Sequence, residues 1–157
     1  METDLNVLER VKNGDLNAFS ELVLKHQKSL LRLALRVVGD LTAAEDVVQE
    51  SFIKAYQKLE SFEGRSSFKS WLFQITLNTA RNKLRGKRLE SVDIENVHVA
   101  VDAMSETIMI HTDLERAINI EVAKLPNKQR MALTLRIFDD LSFAEIAEIT
   151  KCPYDTA

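Results

Sequence analysis

Residues 42–59 read TAAEDVVQESFIKAYQKL. Ala44, Val47, Val48, Phe52, Ala55, Tyr56 and Leu59 recur at the period that puts side chains on one face of an α-helix, and form the expected buried stripe. Asp46, Gln49, Glu50, Lys54 and Gln57 fall on the other face. Thr42 and Glu45 stand at the T-x-x-E spacing of a capping box, in which the hydroxyl accepts from the Glu45 backbone N–H and the carboxylate reaches back. The helix is therefore expected to begin at Thr42. Its apolar side requires other helices to cover it.

The flanking sequence supplies them. Upstream, Asp15 is placed to cap a helix in which Phe19, Leu22, Val23, Leu30, Leu33, Ala34 and Val37 recur at helical spacing, with Gly39 as its stop. Downstream, Glu63-Gly64 breaks the chain, Ser66 or Ser67 caps a third helix, and Trp71, Leu72, Ile75, Leu77 and Leu84 continue it. Further on, Leu114, Ala117, Ile118, Val122 and Leu125 mark a helix stopped by Pro126. Met131, Leu133, Leu135 and Ile137 mark another, ending near Asp139-Asp140, and Ser142 and Glu145 form a second capping box ahead of a short helix. That helix and the turn at Thr150-Lys151-Cys152-Pro153 fit the first half of a helix-turn-helix, or equally a helical hairpin in a bundle. The expected fold class is all-α, with two small helical domains.

Charge divides the chain more sharply than hydropathy does. Arg65, Lys69, Arg81, Lys83, Arg85, Lys87 and Arg88 meet no acidic residue, and Phe68, Trp71 and Phe73 sit among them. Cations attract phosphates and aromatic faces stack on unpaired bases, so this composition suits single-stranded or melted nucleic acid. The competing reading is a solvated basic face with a Phe/Trp core cluster beneath it. After Arg88 the sign reverses through Glu90, Asp93, Glu95, Asp102, Glu106, Asp113 and Glu115, and helical spacing is lost. Residues 89–112 thus read as an acidic linker, with a short strand or packed loop as the alternative. The expected domains are 1–88 and 113–157.

Composition narrows the function classes. A chain of 157 residues, 45% hydrophobic and 29% charged, is globular, and its net charge of −3 excludes a uniformly basic binder. No apolar run approaches the about 20 residues that cross a bilayer, and METDLNVLER lacks a signal-peptide layout, so a cytoplasmic protein without membrane insertion is expected. Cys152 has no disulfide partner, and His26, His98 and His111 show no zinc spacing, so neither a metal nor a cofactor is expected. Glu45 and Asp46 are adjacent and diverge on a helix, which disfavours an enzyme. A helical adaptor that binds only proteins would share the amphipathic helices without needing the acid-free basic block.

The string from Ala43 to Tyr56, followed by Phe68-Lys69-Ser70-Trp71-Leu72-Phe73-Gln74-Ile75 and Asn78, resembles domain 2 of bacterial sigma factors of the extracytoplasmic function group. Leu125-Pro126, Arg130 and Glu145-Ile146-Ala147 resemble their domain 4. The resemblance implies a transcription initiation factor, not an enzyme. It implies that Asp46, Gln49, Glu50 and Ile53 dock on the clamp coiled coil of core RNA polymerase. It also implies that Phe62 to Ser67 holds a base flipped from the minus-ten element of promoter DNA, with Ser66, Ser67 and Lys69 at that loop and helix start. Asn78, Arg81, Asn82 and Arg85 would then face the same strand, while Lys83, Lys87 and Arg88 would meet phosphate; Trp71 is expected in the core. The acidic linker would thread toward the polymerase active-site cleft, unless it is a simple tether. An anti-sigma partner is implied as well.

The resemblance fails at one end. Pro153 to Ala157 covers only the first turn of the family's DNA-reading helix, and Lys151 stands where a Gly is common. Domain 4 is thus expected to be truncated and to read the minus-thirty-five element poorly, acting as a fragment or a protein-binding surface. Phe143, Ile146 and Ile149 are expected to lose cover and leave a fragile C-terminal module.

Overall fold

The computed structural model describes residues 3–90 and 113–151, without the side chains of 88–90, 115, 119 and 127. The expected linker therefore lies outside the described residues except where α4 runs on to Glu90, as do Cys152, the segment Pro153 to Ala157 and the side chain of Arg88. The described residues form seven α-helices: α1 (Asp4–Lys12), α2 (Leu16–Val38), α3 (Leu41–Gln57), α4 (Phe68–Glu90), α5 (Asp113–Ala123), α6 (Asn127–Asp139) and α7 (Phe143–Thr150). A short 3-10 turn, Leu59–Ser61, follows α3. Among the described residues no helix is long and apolar enough to cross a membrane.

Local chemistry sets most of these boundaries. The Asp15 carboxylate accepts from the Ala18 N–H at 3.3 Å to start α2, and Gly39, at φ 76°, ends it in a conformation that only a residue without Cβ adopts freely. Ser67 Oγ accepts from the Ser70 N–H at 3.1 Å and opens α4. The Ser142–Glu145 capping box opens α7, with the Glu145 N–H donating to Ser142 Oγ and the Ser142 N–H donating to Glu145 Oε2 at 2.8 Å. Lys151 closes α7 at φ 54°, a left-handed conformation that costs a residue with a Cβ some strain.

The start of α3 differs from expectation. Asp40, extended at φ −132°, accepts from the Ala43 N–H at 2.8 Å, so the helix begins at Leu41 and Thr42 is already within its first turn. A carboxylate at the positive end of the helix dipole is a stronger acceptor than a hydroxyl two residues further on, already inside the helix. Helix α1, capped by Thr3, was not legible as a separate element.

Helices α1 to α4 pack as a bundle in which α2 touches α1, α3 and α4, and α3 also touches α4. One apolar cluster runs through it from Leu22, Leu30 and Leu33 of α2, through Val47 and Phe52 of α3, to Phe68, Leu72, Phe73 and Leu77 of α4. The same cluster includes Leu135 of α6 and Ile146 and Ile149 of α7, because α7 packs against both α4 and α6. This overturns the expectation of uncovered isoleucines: Ile146 and Ile149 are 0% and 1% exposed, and only Phe143 stays substantially in solvent. Each such burial contributes about 1.5–3 kcal/mol. Tyr56, expected in the α3 stripe, is instead exposed at the edge of the bundle, with its ring against Phe19. Leu133 and Ile137 of α6 also face solvent, since alternate positions cannot share a helical face; Ala132, Leu135 and Asp139 are its buried side.

The cap assignment is testable by urea denaturation. Asp40→Ala is expected to cost about 1 kcal/mol, whereas Thr42→Ala, a substitution inside the helix, should leave stability nearly unchanged. The reverse order would restore Thr42 as the cap.

Candidate nucleic-acid interface

Two polar faces sit on neighbouring helices of the bundle. On α3, Asp46, Gln49, Glu50 and Ile53 are all exposed, one turn apart on the side away from Val47 and Phe52. On α4, Arg81, Asn82, Arg85 and Lys87 are exposed and Asn78 is half-buried, while Leu77 and Ala80 are buried behind them. Lys83 joins the two helices, its ammonium donating to Asp46 at 2.8 Å. One member of the expected phosphate set thus pairs with one member of the expected docking set. The pair is substantially exposed and weak. The basic block is therefore divided among separate environments.

The loop before α4 is held by rings. Phe62, Phe68 and Trp71 meet pairwise with centroids 5.0 to 5.8 Å apart, and the His26 ring lies 5.9 Å from Phe68. Phe68 is 2% exposed and Trp71 half-buried, so the indole is part of this packing. The Phe68–Trp71 cluster anchors a turn through Gly64, at φ 71°, that carries Ser66 and Ser67. A cavity of about 410 Å³ opens there, bounded by Ser66, Ser67 and Phe68 on one side and Asp4 and Lys25 on the other. Asp4 is fixed by the Lys25 ammonium at 2.6 Å and by His26 Nε2 at 2.9 Å. Burial pushes the Asp4 carboxyl up, but Lys25 and His26 together hold it below the usual range.

Ser67 and Lys69 are not turned solely to solvent. Ser67 Oγ lies 3.1 Å from Glu145 Oε1, and the Ser70 hydroxyl donates to the same oxygen at 2.8 Å. Lys69 donates to the backbone carbonyl of Asp139. The Asp139 side chain is completely buried and accepts from Arg32 Nη2 at 3.2 Å, with Arg36 Nη1 3.9 Å from its other oxygen. Burial raises the Asp139 carboxyl and brings the Arg36 guanidinium down to about 10, partly opposed in each case by the opposite charges. Arg32, Arg36 and Asp139 were absent from the sequence-derived set. Their signal was available only as an Arg pair four apart on α2, since their partner lies far along the chain.

The comparisons with known proteins bear on both helical sets. Residues 22–90 match Sigma-70 region 2, and residues 121–157 match Sigma-70, region 4. The chain is 42% identical to RNA polymerase sigma-H factor of Pseudomonas aeruginosa over 166 aligned residues, covering 99% of this chain and 86% of that protein. The chain belongs to the extracytoplasmic function sigma factors. It is 41% identical to the ECF RNA polymerase sigma-E factor of Escherichia coli K12, covering 98% of this sigma factor and 86% of that one. Among solved structures it is similar to CnrH in complex with the cytosolic domain of CnrY, at a TM-score of 0.68 and 25% identity, covering 99% of this chain and 87% of that one. It is also similar to the sigma factor RpoE in complex with the anti-sigma factor NepR from Bartonella quintana, at a TM-score of 0.64 and 27% identity, covering 88% and 86%.

His26 gives the sigma factor a defined acid response. Burial lowers its pKa below 6.5, with Asp4 opposing, so the folded state binds fewer protons than the unfolded chain in that window. Stability contributed by neutral His26 is then present above pH 6.5 and lost as pH falls toward the folded value. Urea midpoints of the wild type should fall on acidification through this range, and His26→Gln should flatten that part of the slope; parallel profiles for the two proteins would contradict it.

Proposed function

We propose that this sigma factor binds core RNA polymerase through the α3 face and holds separated promoter strands with α4 and the loop before it. The reading is carried by the match to sigma factors across both helical sets, 42% identical over 99% of the chain in one case. A protein-only adaptor is not favoured, because it would leave the α4 cations without a role.

The polymerase site comprises Asp46, Gln49, Glu50 and Ile53: three exposed polar groups with one exposed aliphatic side chain a turn further along the same helix, suited to a helical partner such as the clamp coiled coil. The strand site comprises Ser66, Ser67 and Lys69 at the loop, then Asn78, Arg81, Asn82, Arg85 and Lys87 along α4, with Lys83 and Arg88 as further phosphate contacts. The minus-ten element is its target. A flipped base would enter the space beside Ser66 and Ser67, where the turn at Gly64 and the rings beneath keep the loop in one shape. Unstacking a base costs a few kcal/mol, so a preformed pocket together with cationic contacts biases the duplex toward the open form without nucleotide hydrolysis. Residues 1–88 are then sigma domain 2, 113–157 domain 4, and 89–112 the tether between them. An anti-sigma protein is a further partner, as such a protein is for RpoE of Bartonella quintana. A cytoplasmic location follows from the polymerase partner.

Copurification with core polymerase tests the docking half. The double variant Gln49→Ala, Glu50→Ala should lose most of that association while still binding a single strand, and undiminished association would remove α3 from the interface. For the strand half, Arg81→Ala should weaken binding to bubble DNA and reduce the slope of log affinity against log salt by about 1. An unchanged slope would mean that Arg81 touches no phosphate.

A further inference from the structure

The two sides of the cavity before α4 differ in what they can distinguish. On the loop side, Ser66 and Ser67 carry hydroxyls, which donate or accept by turning and so meet an amine or a keto oxygen equally well. On the other side stand Asp4 of α1 and Lys25 of α2, an acceptor and a donor of fixed sense. Their charged groups are 2.6 Å apart, so a base edge that reaches one reaches the other. The match to Sigma-70 region 2 spans residues 22–90, and Asp4 lies outside it. We infer that Asp4 and Lys25 are the specificity-determining side chains of this cavity, selecting an unstacked base that presents an exocyclic amine beside an unprotonated ring nitrogen, as cytosine and adenine do. The inference rests on the proposed entry of a flipped base beside Ser66 and Ser67, and adds to it which bases are accepted.

Depth assigns the two contacts. The Asp4 side chain is 17% exposed and that of Lys25 45%, so the carboxylate is the recessed group. A recessed group is met by whatever protrudes furthest from the ring, and on the Watson–Crick edge beside N3 of a pyrimidine or N1 of a purine that is an amine in cytosine and adenine, a keto oxygen in thymine and guanine. Burial works against the Asp4 charge, but the contacts to Lys25 at 2.6 Å and His26 Nε2 at 2.9 Å keep the carboxyl below its usual range and fix its direction. It therefore offers lone pairs only. An amine donates to it, whereas a keto oxygen in the same seat is repelled, and that repulsion carries the discrimination. The Lys25 ammonium has donors beyond the one given to Asp4, and these suit N3 of cytosine or N1 of adenine. In thymine and guanine that nitrogen bears a hydrogen, so both contacts fail together. Leu5, exposed on α1, lines the same space and gives the ring an apolar surface.

The test uses holoenzyme assembled with this sigma factor and bubble DNA in which each minus-ten position carries cytosine, uracil, adenine or hypoxanthine in turn, with affinity read by anisotropy at one salt concentration. Uracil and hypoxanthine differ from cytosine and adenine only by exchange of the amine for a keto oxygen and by the hydrogen on the adjoining nitrogen. At one position the amine-bearing base should bind about tenfold more tightly than its keto counterpart. The larger of the two ratios names the base. Asp4→Asn, whose amide turns over to meet either group, and Lys25→Gln, at a half-exposed side chain, should each reduce that ratio to about twofold. A variant that merely folded less well would lose affinity alike for both members of a pair, leaving the ratio intact. A ratio unchanged in both variants would overturn the inference, and so would the absence of any position that distinguishes amine from keto. Arg81→Ala separates this from the strand site itself. If it weakens binding to every strand while the ratio ignores Asp4 and Lys25, the inference alone falls; if it has no effect and no position distinguishes the bases, the strand site falls and takes the inference with it.

Discussion

Burial of Phe68, Leu72, Phe73, Leu77 and Ala80 along one side of α4 is the interaction on which the remaining arrangement depends. A helix bearing this many cations would not hold a fixed place in an acidic chain by electrostatics alone, since exposed charges are screened over about 10 Å. Its apolar side, packed on α2 and α3, fixes the orientation of Arg81 and Arg85 and keeps them at the surface. The same packing places the start of α4 beside Phe62 and His26, which sets the loop that carries Ser66 and Ser67. Position is supplied by apolar contact, and charge is left available for a partner.

The electrostatics follow from that division. Cations near the end of α4 are exposed, whereas Lys69 near its start and Arg32 and Arg36 on α2 are engaged by the C-terminal helices. The net charge of −3 is thus compatible with a local cationic surface, part of which is masked within the chain itself. Asp139 and Arg36, both shifted against their charged forms by burial, mark a place where the two helical sets meet at an electrostatic cost.

Much of this was legible in the sequence, for specific reasons. Apolar spacing gave α2, α3 and α4 because each has one continuous buried face, and Asp15 and Gly39 marked the ends of α2, as Ser142 marked the start of α7, with chemistry that works locally. Asp46, Gln49 and Glu50 of α3 were placed on the exposed face by the same periodicity. What escaped depended on groups distant in sequence. Glu145 was legible as a cap but not as a partner of Ser67 and Ser70, and Asp139 was read as the end of a helix, when it is the buried centre of an ion cluster. Met131, Leu133, Leu135 and Ile137 marked a helix without marking its buried side, because apolar character alone does not fix which face is covered. Asp40 was overlooked because Thr42 offered a complete capping pattern, and two acceptors so close together are ranked only by backbone geometry.

The most direct measurement is promoter opening by holoenzyme assembled with a sigma factor whose exposed α4 cations, Arg81, Arg85 and Lys87, are all changed to Gln. Opening is read by permanganate reactivity of unpaired thymines after equal loading of polymerase. The account predicts normal assembly with strongly reduced reactivity across the minus-ten element. Reactivity equal to that of the wild type would contradict the claim that α4 holds the separated strands.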